Sequence, residues 1–261
     1  MYWFIRGVWK QLLKIYFFIK PFFSRFIRVL LWSQEEPEPM SIPIIINNRN
    51  RYSFLKLQIQ SLEQRGYTNI YIIDNASSYL PLLDYYDTEC PYTVFRLKQN
   101  MGHLALWKSG LIKQFRDRYF VYTDSDIVLD ECCPSDFMEQ FVRVMRKYPL
   151  VEKVGFSLRI DDLPACFDKK QQVIDWESQF WKCKISDNPP LYKAAIDTTF
   201  ALYRPYYIVG GNLHSPIIRL GKPYLVKHMP WYNDSVHLSD EESFYIQHCE
   251  TITHWTMGKL K

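Results

Sequence analysis

From residue 42 the chain settles into an alternation of apolar runs and amphipathic segments. IPIII (42–46) is continuously apolar, as a strand buried on both faces of a parallel sheet requires. Residues 52–65 place Phe54, Leu55, Ile59 and Leu62 on one helical face, and Gly66 supplies a stop. NIYIID (69–74) predicts a second strand, 93–97 a third, and YFVYT (119–123) a fourth. Helices are expected over 103–115 and over 134–148, the latter with Pro134 near its first turn. This order predicts an α/β fold with a doubly wound sheet, in which ligands sit at the carboxyl ends of the strands. Beyond Gly155 the pattern weakens: 194–203 and 223–228 read as strands and 239–249 as a short helix.

The first 34 residues follow a different rule. Pro21 divides a stretch of Phe, Ile, Leu and Trp in which Arg6, Lys10, Lys14, Lys20, Arg25 and Arg28 are the only charges. At about 100° per residue those six fall within a sector of roughly 140°. The uncharged runs are far shorter than the roughly 18–20 residues that span a bilayer. The expectation is an amphipathic segment lying in a membrane interface, its basic side chains on anionic headgroups; the competing reading packs it on the domain that follows. Residues 35–41 form an acidic, proline-bearing linker. The expected organisation is thus 1–34 for membrane association, 35–41 as linker and 42–261 as the main domain, divided into 42–132 and 133–261.

Composition changes this picture little. The net charge is +4, and six positive charges lie in the first segment, so the remainder is near neutral and offers no nucleic-acid face. The six cysteines have no CxxC spacing and fit reduced thiols of a cytosolic protein. No cleavable secretory signal is evident, which with the basic segment puts the expected location at the inner face of a membrane.

Candidate chemistry gathers where strands are expected to end. NNRNR (47–51) follows the first, Asp74-Asn75 the second, and Asp124-Ser125-Asp126 the fourth. Two carboxylates two positions apart suit a hard divalent cation, which in turn neutralises a diphosphate leaving group. A solvated acidic loop has the same spelling, so the pair gains weight only from its context.

Taken in order, the first-strand loop with Asn50 and Arg51, the strand ending in Asp74, Asn100-x-Gly102 and the D-x-D of Asp124 and Asp126 resemble the family 2-like glycosyltransferases of the GT-A fold. The resemblance covers residues 42–132 and implies a GT-A type mixed sheet, its first half binding a nucleotide-sugar. It implies a metal-dependent transfer from a nucleoside diphosphate-sugar, most readily a UDP-sugar, with inversion. Donor contacts would fall on Asn48, Asn50, Arg51, Asp74, Asn100, Gly102 and Asp124, and Mn²⁺ or Mg²⁺ on Asp124 and Asp126. His228, at the end of an apolar run, is the candidate third ligand, with His254 the alternative.

The catalytic base is open among three carboxylates. Asp240 and Glu241 match the acidic pair at a helix start, where capping by Ser239 and favourable charge in the first turn explain them equally well. Asp197 is the rival, on an expected apolar strand where burial would raise its pKa. Trp231 is the candidate ring for stacking on an acceptor sugar, and core packing is its competing role. The membrane segment points to a glycan or lipid-linked acceptor. Two other classes stay open. A sugar nucleotidyltransferase would need a glycine-rich loop after the first strand, where this chain has NNRNR; the other is a catalytically silent membrane-bound module that only binds nucleotide-sugars.

Overall fold

The computed structural model describes residues 37–249 except 198, 208 and 210–215. The basic segment 1–34, His254 and the start of the linker lie outside the described residues. Among the latter, β1 (Ile44–Asn48), β2 (Ile70–Asp74), β3 (Thr93–Arg96) and β4 (Phe120–Asp124) are parallel, in spatial order β3-β2-β1-β4. Helix α1 (Ser53–Glu63) follows β1 and α2 (Leu80–Thr88) follows β2. This is the doubly wound half that the alternation of patterns predicts, each strand within two residues of its expected limits.

The sheet then changes direction and becomes mixed. β9 (Ala201–Tyr203) runs antiparallel between β4 and β6 (Lys153–Leu158). β10 (Ile217–His228) runs parallel to β6 and antiparallel to both β8 (Pro190–Lys193) and β5 (Ile127–Leu129). After helix α5 (Lys170–Glu177), β7 (Lys184–Asp187) closes the edge against β8. One sheet therefore runs through both expected halves, since β9 joins directly to β4.

Each face of the sheet has its own apolar layer. α1, α2 and α4 (Phe137–Lys147) bury Leu55, Leu82 and Phe141 on one side, against Ile44, Ile46, Ile72 and Val121. On the other side Ala105 and Leu106 of the short α3 (Ala105–Lys108) pack with Phe115 on Ile45, Ile73, Phe120 and Tyr122. Phe137, Phe141, Phe156 and Phe200 form a ring cluster with centroids 4.8–6.4 Å apart, which seats α4 on β6.

Several expectations are corrected. The helix over 103–115 is broken into α3 and flanking single turns, because Gly110 takes a left-handed conformation with φ of 80°. The strand over 194–203 shrinks to its last three residues. Three of its earlier carbonyls are taken by cations: Ala195 O by Arg219 Nε at 2.6 Å, and Ile196 O and Asp197 O by Lys153 Nζ at 2.5 and 3.2 Å. Asp197 is consequently exposed and off the sheet, contrary to the buried strand position expected for it. The strand over 223–228 begins six residues earlier, at Ile217, and shifts register on β6 between Leu220 and Leu225. The helix over 134–148 starts at Phe137.

β6 is not announced by the sequence, since Lys153 and Gly155 interrupt its apolar run. Both have tertiary reasons. Burial pushes the Lys153 ammonium down to about 8, with Asp197 opposing the shift and Arg219 adding to it. At Gly155 a Cβ would meet Phe200 O at 2.5 Å and the Ala201 Cβ at 2.9 Å, so only glycine lets β9 approach. Gly155→Ala is expected to destabilise the fold by about 1–3 kcal/mol in a denaturant titration. An unchanged midpoint would show that β9 can move aside.

Candidate active site

The carboxyl ends of β1, β2 and β4 lie side by side, and the expected polar clusters meet there. Asn48 pairs in register with Asp74, and Asn47 with Asp124. Asp74 and Asp124 thus flank β1 on either side, roughly 10 Å apart at normal strand spacing. Ser125 and Asp126 turn the chain from β4 into β5.

The D-x-D turn is anchored on several sides. Asn47 Nδ2 approaches Asp124 Oδ1 at 3.4 Å, and the Ser125 N–H donates to Asn47 O at 3.2 Å. The Met229 N–H donates to Asp126 O at 2.8 Å. That last bond continues the β5–β10 ladder, in which His228 faces Ile127. Ladder register therefore brings His228 to the turn: its Nε2 is 3.6 Å from Asp126 Oδ2. This is too long for a hydrogen bond. It matches two neighbouring ligands of one divalent cation, which with bonds of about 2.1–2.2 Å are separated by roughly 3–3.6 Å. His228 Nδ1 is buried without a protein partner, and the ring stacks at a tilt on Trp231, centroids 4.6 Å apart. Burial holds the imidazole below its ordinary pKa, with Asp126 opposing and Arg51 reinforcing the shift. The neutral ring keeps a lone pair for a metal. Among the described residues no three His, Cys, Asp or Glu side chains converge into a complete cation cage. Asp126 and His228 are two side chains at this turn that could serve as cation ligands.

Trp231 is 3% exposed, and this burial corrects its expected place on the surface: it supports His228 from below and has no open face for a sugar. Asn48 and Asn50 likewise turn inward. Asn48 Nδ2 donates to the Tyr86 hydroxyl at 2.7 Å. Asn50, at φ 53°, accepts from the N–H groups of Ser78 and Tyr79 at 2.7 and 3.1 Å, locking the β1–α1 loop to the β2–α2 loop. Asn100 Oδ1 accepts from Gly102 N at 2.9 Å, with Gly102 at φ 71°. The residue that joins this segment to the sheet is Asn75, whose side chain accepts from Met101 N at 2.7 Å and donates to Gly102 O at 3.1 Å.

Helix α6 (Asp240–Gln247) lies against the same strand ends. Ser239 caps it by accepting from Glu242 N. Its first three residues are acidic and have three different fates. Glu241 reaches the start of α1, accepting from Tyr52 N and Ser53 N at 3.0 and 2.9 Å and from the Ser53 hydroxyl at 2.6 Å. Glu242 forms a buried ion pair with Arg51, whose guanidinium also lies 3.4 Å from the Tyr245 ring centre. Burial opposes the charge of Arg51, but Glu242 and Tyr245 outweigh it and raise its pKa further. Asp240 is exposed. The structure thus brings Arg51, Asp126, His228 and α6 together, and leaves Asp197 exposed, its backbone carbonyl on Lys153.

Sequence reasoning named Asn75 only as part of the cluster after the second strand, and missed Gln58, Ser53 and Tyr245 as parts of this site. Gln58 had a detectable signal, a polar residue at the apolar spacing of Leu55, Ile59 and Leu62; the others had none.

No protein-family model matches the chain, and no curated protein matches it. Among solved structures it is similar to residues 1–349 of TarS from S. aureus, with a TM-score of 0.44, 12% identity, and coverage of 72% of this chain and 60% of that one. It is also similar to GalNAc-T7, solved with UDP, GalNAc and Mn²⁺, with a TM-score of 0.46, 14% identity, and coverage of 72% and 43%. A cytidylyltransferase from Leptospira borgpetersenii gives 0.33, 13%, 48% and 56%. The chain therefore spans less than two thirds of the length of each.

Asp74 offers a test of the site's electrostatics. It is 3% exposed, and burial raises its carboxyl pKa, opposed by bonds from Ser77 and by Arg96 and Arg49. The folded state then binds this proton more tightly than the unfolded chain, whose Asp titrates near about 3.9. As pH rises above that value, ionised Asp74 costs stability. Asp74→Asn is expected to melt at a higher temperature than wild type at pH 7, with the gain vanishing by about pH 3. A lower melting temperature at pH 7 would contradict the sign.

Proposed function

We propose that the chain is a metal-dependent glycosyltransferase of GT-A type, moving a sugar from a nucleoside diphosphate-sugar to an acceptor hydroxyl. The observation that carries this reading is the approach of His228 to Asp126 at the turn that follows β4, with Asp124 ending that strand and buried Asp74 two strands away. That separation suits a nucleotide whose base sits by Asp74 and whose diphosphate sits by the D-x-D turn. A carboxylate and an imidazole at this spacing would suit a divalent cation.

In this scheme Asp126, His228 and Asp124 would hold Mn²⁺ or Mg²⁺, which when bound would neutralise charge on the departing diphosphate. Asn75 sets the Asn100–Gly102 segment against the donor half. The acceptor oxygen attacks the anomeric carbon as its bond to the diphosphate oxygen breaks, giving inversion. Asp240 takes the hydroxyl proton; its two acidic neighbours are engaged with α1 and Arg51. The donor is a UDP-sugar in this reading.

Melting temperatures with a panel of nucleoside diphosphates and their sugars, with Mn²⁺ and with EDTA, test the scheme. A ligand at about 100 times its Kd adds about 2.7 kcal/mol to stability. One nucleotide should give a Mn²⁺-dependent rise that Asp126→Ala abolishes. No rise with any nucleotide would sink the reading.

The acceptor is proposed to be a glycan or lipid-linked molecule at the inner face of a membrane. The support is the basic, aromatic composition of residues 1–34. No helix among the described residues is long and apolar enough to cross a membrane. Removing residues 1–34 should release the protein from anionic liposomes in a sedimentation assay, and retained binding would refute the assignment.

A further inference from the structure

Helix α1 places an amide on its buried face. Gln58 is 1% exposed and lies among Leu55, Ile59 and Leu62, where an aliphatic side chain would pack without any polar demand. Its Nε2 is 2.7 Å from Ile127 O, 2.9 Å from Asp124 O and 3.2 Å from Thr123 Oγ1. The Thr123 hydroxyl donates to Asp124 O at 2.9 Å, so it too faces the amide as an acceptor. Three acceptors fix the carboxamide with its nitrogen toward the turn. Its Oε1 is left buried with no partner, an arrangement that stability alone would not favour.

The two carbonyls that Gln58 holds bracket Ser125 and Asp126. With the Ser125 N–H on Asn47 O and Asp126 O on the Met229 N–H, backbone at every residue from 124 to 127 is pinned by a neighbouring element. Of these pins only Gln58 is a side chain. We propose that Gln58 is a positioning residue: it sets the backbone of the D-x-D turn so that Asp126 faces His228 in a cation-binding geometry. The inference rests on the metal-site reading above and concerns how that site is preorganised. Groups one shell out from a metal commonly change its affinity by about 10–100-fold.

The test is Mn²⁺ binding to the full chain, read from the electron paramagnetic resonance of free Mn²⁺ well below the melting temperature. Wild type, Asp126→Ala, Gln58→Met and Gln58→Glu are compared, and circular dichroism reports folding. Gln58→Met keeps length and volume and removes both donors, so Mn²⁺ affinity should fall about tenfold or more. Gln58→Glu adds a pH signature. A protonated carboxyl donates one hydrogen bond to the turn, whereas a carboxylate donates none and repels both carbonyls. Its affinity deficit against wild type should therefore widen between about pH 6 and pH 8, which a loss of packing would not produce. A folded Gln58→Met that binds Mn²⁺ like wild type would overturn the proposal. If that variant does not fold, a Gln58→Glu deficit that is flat with pH overturns it instead. Unchanged binding in Asp126→Ala would refute the metal-site reading itself, a distinct outcome.

Discussion

The contact on which the site depends is the Glu241 carboxylate at the N-terminus of α1. The first N–H groups of a helix have no partner within it and carry partial positive charge. No side chain in the β1–α1 loop caps them. A carboxylate from near the other end of the described chain takes their place, bonded to two backbone N–H groups and one hydroxyl. This joins α6 to α1, and α1 carries Gln58 on its inner face. The D-x-D turn is therefore held in a frame closed by a residue 115 positions beyond Asp126.

Around that frame buried charge is paired. Arg51 with Glu242 is nearly inaccessible to water, as is Arg219 with Glu177. Neither pair need add to stability over an apolar substitute, because desolvation consumes most of the attraction. Their value is specificity: an ion pair tolerates one partner geometry, and Arg51 commits α6 to one seat over the strand ends. His228 follows the same logic in neutral form. It lies half-buried against Trp231 and beside Asp126, in surroundings that disfavour its charged form.

The first half of the sheet was legible because parallel strands buried on both faces spell themselves as apolar runs. IPIII, NIYIID and YFVYT each become a strand, and each ends at the polar cluster expected there. The second half was not, because its strands draw their partners from distant segments. Lys153 interrupts β6 yet is satisfied by carbonyls of residues 196 and 197. A twelve-residue strand that shares itself among β5, β6 and β8 has no single burial period to read.

The same division holds for the site. Local pattern alone determined which residues end the strands, and so singled out Asp74, Asp124 and Asp126, because a strand's alternation and its terminating polar cluster are properties of neighbouring positions. It also placed Ser239 as the cap of α6. Tertiary structure alone decided what each group touches. It drew His228 to Asp126 through a ladder spanning a hundred residues, buried Trp231, and turned Asn48 and Asn50 inward as loop anchors. It also separated Asp240 from Glu241 and Glu242, three adjacent carboxylates that sequence cannot distinguish. Their roles depend on which cations and N–H groups the folded chain brings within reach, and those come from α1, at the opposite end of the described chain.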